Sequence, residues 1–333
     1  MTHGTTAPAA PTGARILSVG AYRPAAVVTN EEISGPIDSS DEWIRRHSGI
    51  RTRRFAGPEE TIPFMAQQAA AKALVEAGID ARQVSVVLLA TMSYLYQTPA
   101  AAARVAHGLD IEGAAFDVMS ACAGFSTGLA LARDMIVAGT AEYVLVIGAE
   151  RMSDLIDPKD RSTAFLFGDG AGAAVVGPSD DPADIGPVVW GSDGSRAGLI
   201  AQHDSWLDGD GSPGTRPFMV MDGPRVYRWA VTQIPAVARR AMDQAEVAAD
   251  DLVAFVPHQA NLRIIEAIVA SLKLPEQVVV ARDVVDMANT SAASIPLALE
   301  RLRAEGHDPG GGAALLVGFG SGLSYAAQVV RLP

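Results

Sequence analysis

The chain has 333 residues, 49% of them hydrophobic and 19% charged, a balance that excludes an intrinsically disordered protein and leaves room for a duplicated or two-domain body with ample core. A formal net charge of −12 argues against general nucleic-acid binding, and a single cysteine excludes an internal disulfide, which suits a reducing cytoplasm. No apolar run reaches membrane-spanning length without a charge, Pro or Gly interruption.

Residues 1–13 are rich in Ala, Thr, Pro and Gly and lack the basic start and apolar run of a signal peptide, so they are expected to form a disordered leader. RILSVGAYRP (15–24) predicts a strand ending at a proline turn. In SSDEWIRRHSGIRTRRFA, Ser39, Ser40 and Asp41 are N-cap candidates for a short helix carrying Trp43. Arg45, Arg46, Arg51, Arg53 and Arg54 follow closely. Such a cluster is either a solvated face paired with carboxylates or a phosphate site with Trp43 as a stacking surface. Residues 61–77 predict an amphipathic helix closed by Gly78. VSVVLLATMS (84–93) predicts a buried strand, and 99–108 a further helix.

FDVMSACAGFSTGLALARDMIVAG (116–139) then reads as a buried strand running into a helix. Phe125, Leu129, Ala132 and Ile136 share one face, and Gly139 is a natural stop. Cys122 falls in the first helical turn, where unsatisfied N–H groups and the macrodipole favour an anion, so a lowered thiol pKa is expected. Ala121, Ala123 and Gly124 leave room beside the sulfur. The other reading is a buried cysteine acting as a small hydrophobe. EYVLVIGAE (142–150) is a second buried strand. GDGAG (168–172) precedes a strand-like AAVV rather than a helix, so it reads as a tight backbone crossing, not a phosphate loop. Composition loosens over 178–186, dividing an N-terminal half (14–180) from a C-terminal half (187–333). Residues 188–191 are strand-like, 201–217 form a Gly/Asp-rich loop, and a long helix spans 225–245.

A repeat links the halves. AKALVEAGIDARQVSVVLLA (71–90) matches RRAMDQAEVAADDLVAFVPH (239–258), FDVMSAC (116–122) matches RDVVDMAN (282–289), and EYVLVIG (142–148) matches AALLVGFG (313–320). The chain therefore reads as an α/β protein made of two duplicated βα units. The same alignment sets Asn289 opposite Cys122, with His258 ending the strand equivalent to the one near Ala90, so three reactive side chains converge. A helix-capping role is the plainer reading of Asn289, and a satisfied structural residue that of His258. Together with Cys122 they form either a protease-like set or a pair of donors from neutral His and Asn to one developing oxyanion.

CAGFS at Cys122, the block FLFGDGAGAAVV, VPHQANLRII around His258, NTSAAS at Asn289 and GFGSGLSYA at Gly318 resemble the β-ketoacyl-(acyl carrier protein) synthase III family over essentially the whole chain from Arg15. The resemblance implies the thiolase fold, two duplicated βα halves in a layered αβαβα arrangement, and a cytoplasmic homodimer. It implies acyl transfer from acyl-CoA to Cys122, then decarboxylative Claisen condensation with malonyl-(acyl carrier protein), His258 and Asn289 stabilising the enolate. The backbone N–H groups of Cys122 and Ser321 would form the oxyanion hole, Trp43 and Arg161 would flank the adenine of CoA, and Arg263 would meet the acidic carrier protein. No cofactor or metal is expected. Three positions depart from the family pattern: His47 stands where the best-known bacterial members have an arginine, with Arg45 or Arg46 as substitutes; Ala288 replaces a glycine; and Thr98 replaces a bulky aromatic that closes the partner's acyl pocket. The smaller Thr98 implies acceptance of longer or branched primers. The competing readings are an acyltransferase making an ester or amide without decarboxylation, a carrier-protein-binding partner with a degenerate site, and a Cys-His-Asn hydrolase.

Overall fold

The computed structural model describes residues 11–202, 204–206, 217–307 and 310–333. Its first part comprises β1 (Gly13–Tyr22), β2 (Ala26–Thr29), α1 (Asn30–Ser34), α2 (Asp41–Ser48) and β3 (Thr52–Phe55). Then come α3 (Ile62–Ala77), β4 (Val84–Ala90), α4 (Ala101–Gly108), β5 (Ala114–Val118), α5 (Gly124–Val137), β6 (Tyr143–Arg151) and β7 (Asp169–Ser179). The remainder holds β8 (Val189–Ser192), β9 (Ile200–Gln202), β10 (Met219–Met221), α6 (Gly223–Gln244), β11 (Leu252–Pro257) and α7 (Leu262–Leu272). It ends with β12 (Val279–Val280), α8 (Val284–Met287), α9 (Ser294–Ala304), β13 (Ala313–Gly320) and β14 (Ser324–Arg331).

Two sheets have the same plan. One runs β1-β7-β6-β4-β5, the other β8-β14-β13-β11-β12. In each, the first two pairings are antiparallel and the last two parallel. Helices α5 and α9 lie between the sheets, their Phe125, Leu129, Ile136, Ile295 and Leu299 packed against Leu88, Val146, Val256 and Leu316. Each of these large side chains contributes about 1.5–3 kcal/mol by leaving water. Helices α3 and α4 cover the outer face of the first sheet, and α6 and α7 that of the second. The order α-β-α-β-α is the five-layer thiolase fold.

Local chemistry explains the element ends. Ser40 caps α2 by accepting from the Trp43 amide, Thr61 caps α3, and Gly78 closes it at φ +66°. GDGAG lies at the start of β7, where a Cβ on Gly172 would come within 2.7 Å of Pro296, so it is a close crossing of strand and helix α9.

Four expectations need correcting. The strand leading to Cys122 is not buried: β5 is an edge strand, with Phe116 38% exposed and Met119, beyond its end, 74%. Gly13 is not leader: it pairs with Ser179 at the start of β1, while residues 1–10 lie outside the described residues, as do 203 and 207–216 of the Gly/Asp-rich loop. The strand expected over 84–93 stops at Ala90, because Thr91 to Ser93 turn to bind a buried carboxylate. Asn289 is not the counterpart of Cys122. The tight turns Ala121–Ala123 and Ser291–Ala293 lead into α5 and α9, and Ala121 and Ser291 take matching φ values of +44° and +48°. Cys122 therefore corresponds to Ala292. The glycines agree: Gly148 of β6 abuts Ala292, and Gly318 of β13 abuts Cys122 and Ala123. Helix α8, inserted after β12, shifts the register that the repeat suggests.

Candidate active site

Cys122 sits in the turn that opens α5 and is 8% exposed. Its Sγ hydrogen-bonds the Ser291 hydroxyl at 3.4 Å. A Cβ on Gly320 would lie 2.9 Å from that sulfur, so the end of β13 comes against Cys122 only because residue 320 is glycine. Gly124 does not open space beside the sulfur as expected; its missing side chain is what lets α5 approach Ala90. The resting thiol also differs from expectation. Burial pushes its pKa up to about 12, and the nearby Glu150 carboxylate adds to the rise. Desolvation of the thiolate outweighs the benefit of the helix N-terminus, so Cys122 rests as a thiol.

His258 follows β11, its amide bonded to the Val317 carbonyl at 2.8 Å. Its Nδ1 lies 2.8 Å from Ser294 Oγ, and that oxygen also accepts from the Gln259 amide at 3.3 Å. With the Ser294 hydroxyl donating to Nδ1, the proton of neutral His258 is on Nε2. Burial lowers the His258 pKa to about 3, so the ring is neutral. Phe319 packs edge-on against it at 5.3 Å.

Asn289 is gripped by backbone. Its N–H donates to Leu166 at 2.9 Å and its carbonyl accepts from Gly168 at 3.0 Å, which is the structural use of the FLFGDG stretch. Its Oδ1 accepts from the Ser291 amide at 2.8 Å, leaving both Nδ2 hydrogens free to donate. No cap bond from Asn289 or Thr290 holds α9, so the capping reading fails. The preceding Ala288 takes φ +56°, a strained conformation for any residue but glycine.

Cys122, His258 and Asn289 line one cavity of about 870 Å³, with Ser321 in its wall beside Gly320. Two hydrogen-bond donors from neutral side chains, a thiol and a helix N-terminus in an apolar pocket can stabilise an oxyanion without protonating it. Trp43 and Arg161 line the same cavity, the guanidinium lying 4.9 Å from the indole centroid. His47 stacks on Trp43 at 4.2 Å, and its Nδ1–H donates to the Trp43 carbonyl, 2.7 Å away. Arg263 is exposed at the cavity edge.

The arginine cluster is mostly structural. Arg53 is fully buried, bonded to Asn30 Oδ1 and the Phe165 carbonyl. Arg54 binds the Pro24 and Ala25 carbonyls, and Arg45 pairs with Asp41 at 2.7 Å. None of the five lines the cavity, whereas Arg228 of α6, which carries no sequence motif, does. Thr98 is exposed and does not line the cavity of its own chain. Sequence reasoning also missed Ser291, Ser294 and Glu150. Only Glu150 leaves a trace, an acid ending an otherwise apolar strand.

The sequence matches the family model of 3-oxoacyl-(acyl-carrier-protein) synthase III over residues 116–194 and that of its C-terminal domain over 242–332. It is 55% identical to β-ketoacyl-(acyl-carrier-protein) synthase III 1 of Streptomyces coelicolor, with 96% of each chain covered. It is 56% identical to the corresponding synthase of Streptomyces glaucescens over the same shares. Among solved structures, the priming β-ketosynthase of the R1128 polyketide pathway superposes with a TM-score of 0.94, 50% identity and 99% of both chains covered. The 3-oxoacyl-(acyl carrier protein) synthase III of Pseudomonas aeruginosa PAO1 gives 0.88 at 37% identity, covering 96% of this chain and 98% of that one.

Proposed function

The chain belongs to the 3-oxoacyl-(acyl-carrier-protein) synthase III family, and from that premise we propose how its residues carry out a chain-initiating condensation. It is a 3-ketoacyl-(acyl carrier protein) synthase of the condensing type, serving fatty acid or polyketide priming. In our reading an acyl group moves from acyl-CoA to the Cys122 sulfur. The oxyanion of the tetrahedral intermediate lies between the backbone N–H groups of Cys122 and Ser321. Malonyl-(acyl carrier protein) then loses carbon dioxide, and the enolate accepts hydrogen bonds from His258 Nε2 and Asn289 Nδ2. Its carbon attacks the acyl-enzyme, releasing the Cys122 sulfur and the 3-ketoacyl product. The chemistry needs no cofactor beyond its two thioester substrates.

One arrangement carries this reading: with Ser294 donating to His258 Nδ1 and the Ser291 amide to Asn289 Oδ1, the two groups that remain for the cavity are both donors. A hydrolase would need His258 as a proton acceptor, and burial opposes its protonation. Trp43 and Arg161 are assigned to the adenine of CoA; Arg161 must swing off the indole to admit a base. Arg263 is assigned to the carrier protein. We assign the enzyme to the cytoplasm, and among the described residues no helix is long and apolar enough to cross a membrane. We also propose a homodimer through the open edge of β5, where Leu95, Tyr96, Phe116 and Met119 are exposed.

The test is intact-protein mass after incubation with acyl-CoAs from acetyl to hexanoyl, straight and branched, with Cys122→Ala as control. An adduct of acyl mass absent from the control, followed by carbon dioxide and a 3-ketoacyl product on adding malonyl-(acyl carrier protein), supports the reading. An ester, amide or free acid as product overturns it.

A further inference from the structure

Gln259 follows His258 and is 1% exposed. The helix cap beside it is Asn261, whose Oδ1 accepts from the Ile264 amide at 2.9 Å, so Gln259 serves partners farther off. Its Nε2 donates to the Pro257 carbonyl at 2.7 Å and to the Ala281 carbonyl at 3.2 Å. Its Oε1 accepts from the Val284 amide at 3.1 Å. Two carbonyls on one side and an N–H on the other fix which end of the side chain is nitrogen. The Gln259 backbone N–H donates to Ser294 Oγ at 3.3 Å.

These partners frame the two donors of the cavity. Val284 opens α8, its carbonyl accepts from the Ala288 amide at 3.0 Å, and Asn289 comes next in the chain. Ser294 opens α9 beyond Asn289, and its Oγ also lies 2.8 Å from His258 Nδ1. The stretch 284–294 that carries Asn289 is therefore fastened at both ends to the residue beside His258. The bonds from Leu166 and Gly168 hold Asn289 against the first half of the chain; those from Gln259 hold it against His258. Helix α8 is a single turn, too short to be rigid by itself, so the place of Asn289 depends on such outside bonds.

We propose that Gln259 is a positioning residue that sets the spacing between His258 Nε2 and Asn289 Nδ2, and with it the oxyanion site the two share. Gln259 itself stays outside the cavity lining. The inference rests on the reading of His258 and Asn289 as the enolate donors. An apolar side chain of equal length would fill the same space but leave two carbonyls and an amide without partners. Packing alone has no directional preference, whereas these bonds do, and a misplacement of 1 Å costs about 100-fold in rate. The effect belongs to one step. Decarboxylation and condensation use the donor pair; loading of Cys122 does not.

The experiment loads Cys122 from butyryl-CoA and then follows a single turnover with malonyl-(acyl carrier protein). Carbon dioxide release from malonyl-(acyl carrier protein) alone is a second readout, because it uses the donor pair without a primer. The proteins compared are the wild type, Gln259→Met, Gln259→Glu, His258→Ala, Asn289→Ala, and Gln259→Met combined with Asn289→Ala. Gln259→Met should condense and decarboxylate about 100-fold more slowly while loading at the wild-type rate. In the Asn289→Ala background the same change should cost almost nothing further, since no pair is left to position. Gln259→Glu keeps the length and the acceptor for Val284 but loses at least one N–H donor. It should show the same split with a smaller loss, and it serves if Gln259→Met does not fold. Wild-type condensation in both Gln259 variants overturns the proposal. So does an equal fall in loading and condensation, which marks a general loss of structure, or a full 100-fold loss in the Asn289→Ala background. If His258→Ala and Asn289→Ala condense like the wild type, the donor reading falls and takes the positioning role with it. If those two are slow and the Gln259 variants are not, the positioning role alone falls.

Discussion

Unfolding returns His258 to water and to an ordinary value near 6.5, so between pH 6.5 and about 3 the unfolded chain binds a proton that the folded chain does not. The folded state is therefore penalised as pH falls through this window and unaffected above it. Glu150, Asp169 and Asp283, whose carboxyls burial raises, act with the opposite sign, so the comparison must be with a variant that changes His258 alone. His258→Gln should lose about 2–3 kcal/mol less than the wild type between pH 7 and 4.5, read from urea midpoints at the two values; equal losses refute the assignment. In catalysis the same residue has a narrower task. His258→Ala should lower condensation about 100- to 1,000-fold, while acyl-enzyme formation from acyl-CoA continues, a split visible by intact mass. Residues of this kind were readable because their neighbours are distinctive: Cys122 beside small residues, His258 in HQANLR, Asn289 in NTSAAS. The thiol's protonation was not readable. A helix N-terminus is a sequence feature, but the burial that overrides it comes from strand β13 closing over the sulfur at Gly320, far along the chain.

At the scale of elements, the two halves hold their working turns by the same device. Strand β6 presses through Gly148 on Ala292, where an added Cβ would lie 2.3 Å from a carbonyl oxygen; β13 presses through Gly318 on Ala123 at 2.9 Å. Substituting either glycine by alanine should destabilise the protein by about 1–3 kcal/mol, the range for overpacked cores. The functional losses should separate. Gly148→Ala displaces the turn carrying Asn289 and Ser291, so condensation falls more than alkylation of Cys122. Gly318→Ala displaces the Cys122 turn, so alkylation falls as well. Thermal melts with both rate measurements check this, and identical profiles for the two variants contradict it. Helices and strands themselves were legible from period and caps, as with Ser40, Thr61 and Gly78. The exact pairing of the halves was not, because α8 inserts between β12 and the turn and moves the true partner of Cys122 from Asn289 to Ala292. The arginines near Trp43 illustrate a different gap. Local sequence cannot tell that Arg53 reaches Asn30 and Phe165 in the interior.

Among the described residues, the edge of the first sheet at β5 is open and apolar. β5 closes one side of the first sheet without a further strand, and Phe116 on it is 38% exposed, with Met119 at 74% and Tyr96 at 68% nearby in the chain's loops. An edge strand left bare with such side chains invites pairing with another copy. A two-fold axis there would join two first sheets into one continuous sheet, and it would carry the loop holding Thr98 into the neighbouring protomer. That geometry would account for the exposure of Thr98 and its absence from its own cavity. Two variants follow. Phe116→Lys with Met119→Lys should convert the dimer to monomers in sedimentation equilibrium, and a monomeric wild type removes the premise. Thr98→Phe should keep the dimer but shift acyl-enzyme formation toward acetyl-CoA, since each methylene lost from a filled pocket forfeits about 0.8 kcal/mol. For butyryl-CoA, two methylenes longer, the relative loading rate should fall about tenfold. Unchanged selectivity in a dimer would show that the loop does not reach the partner's pocket, and that primer length is set wholly within one chain.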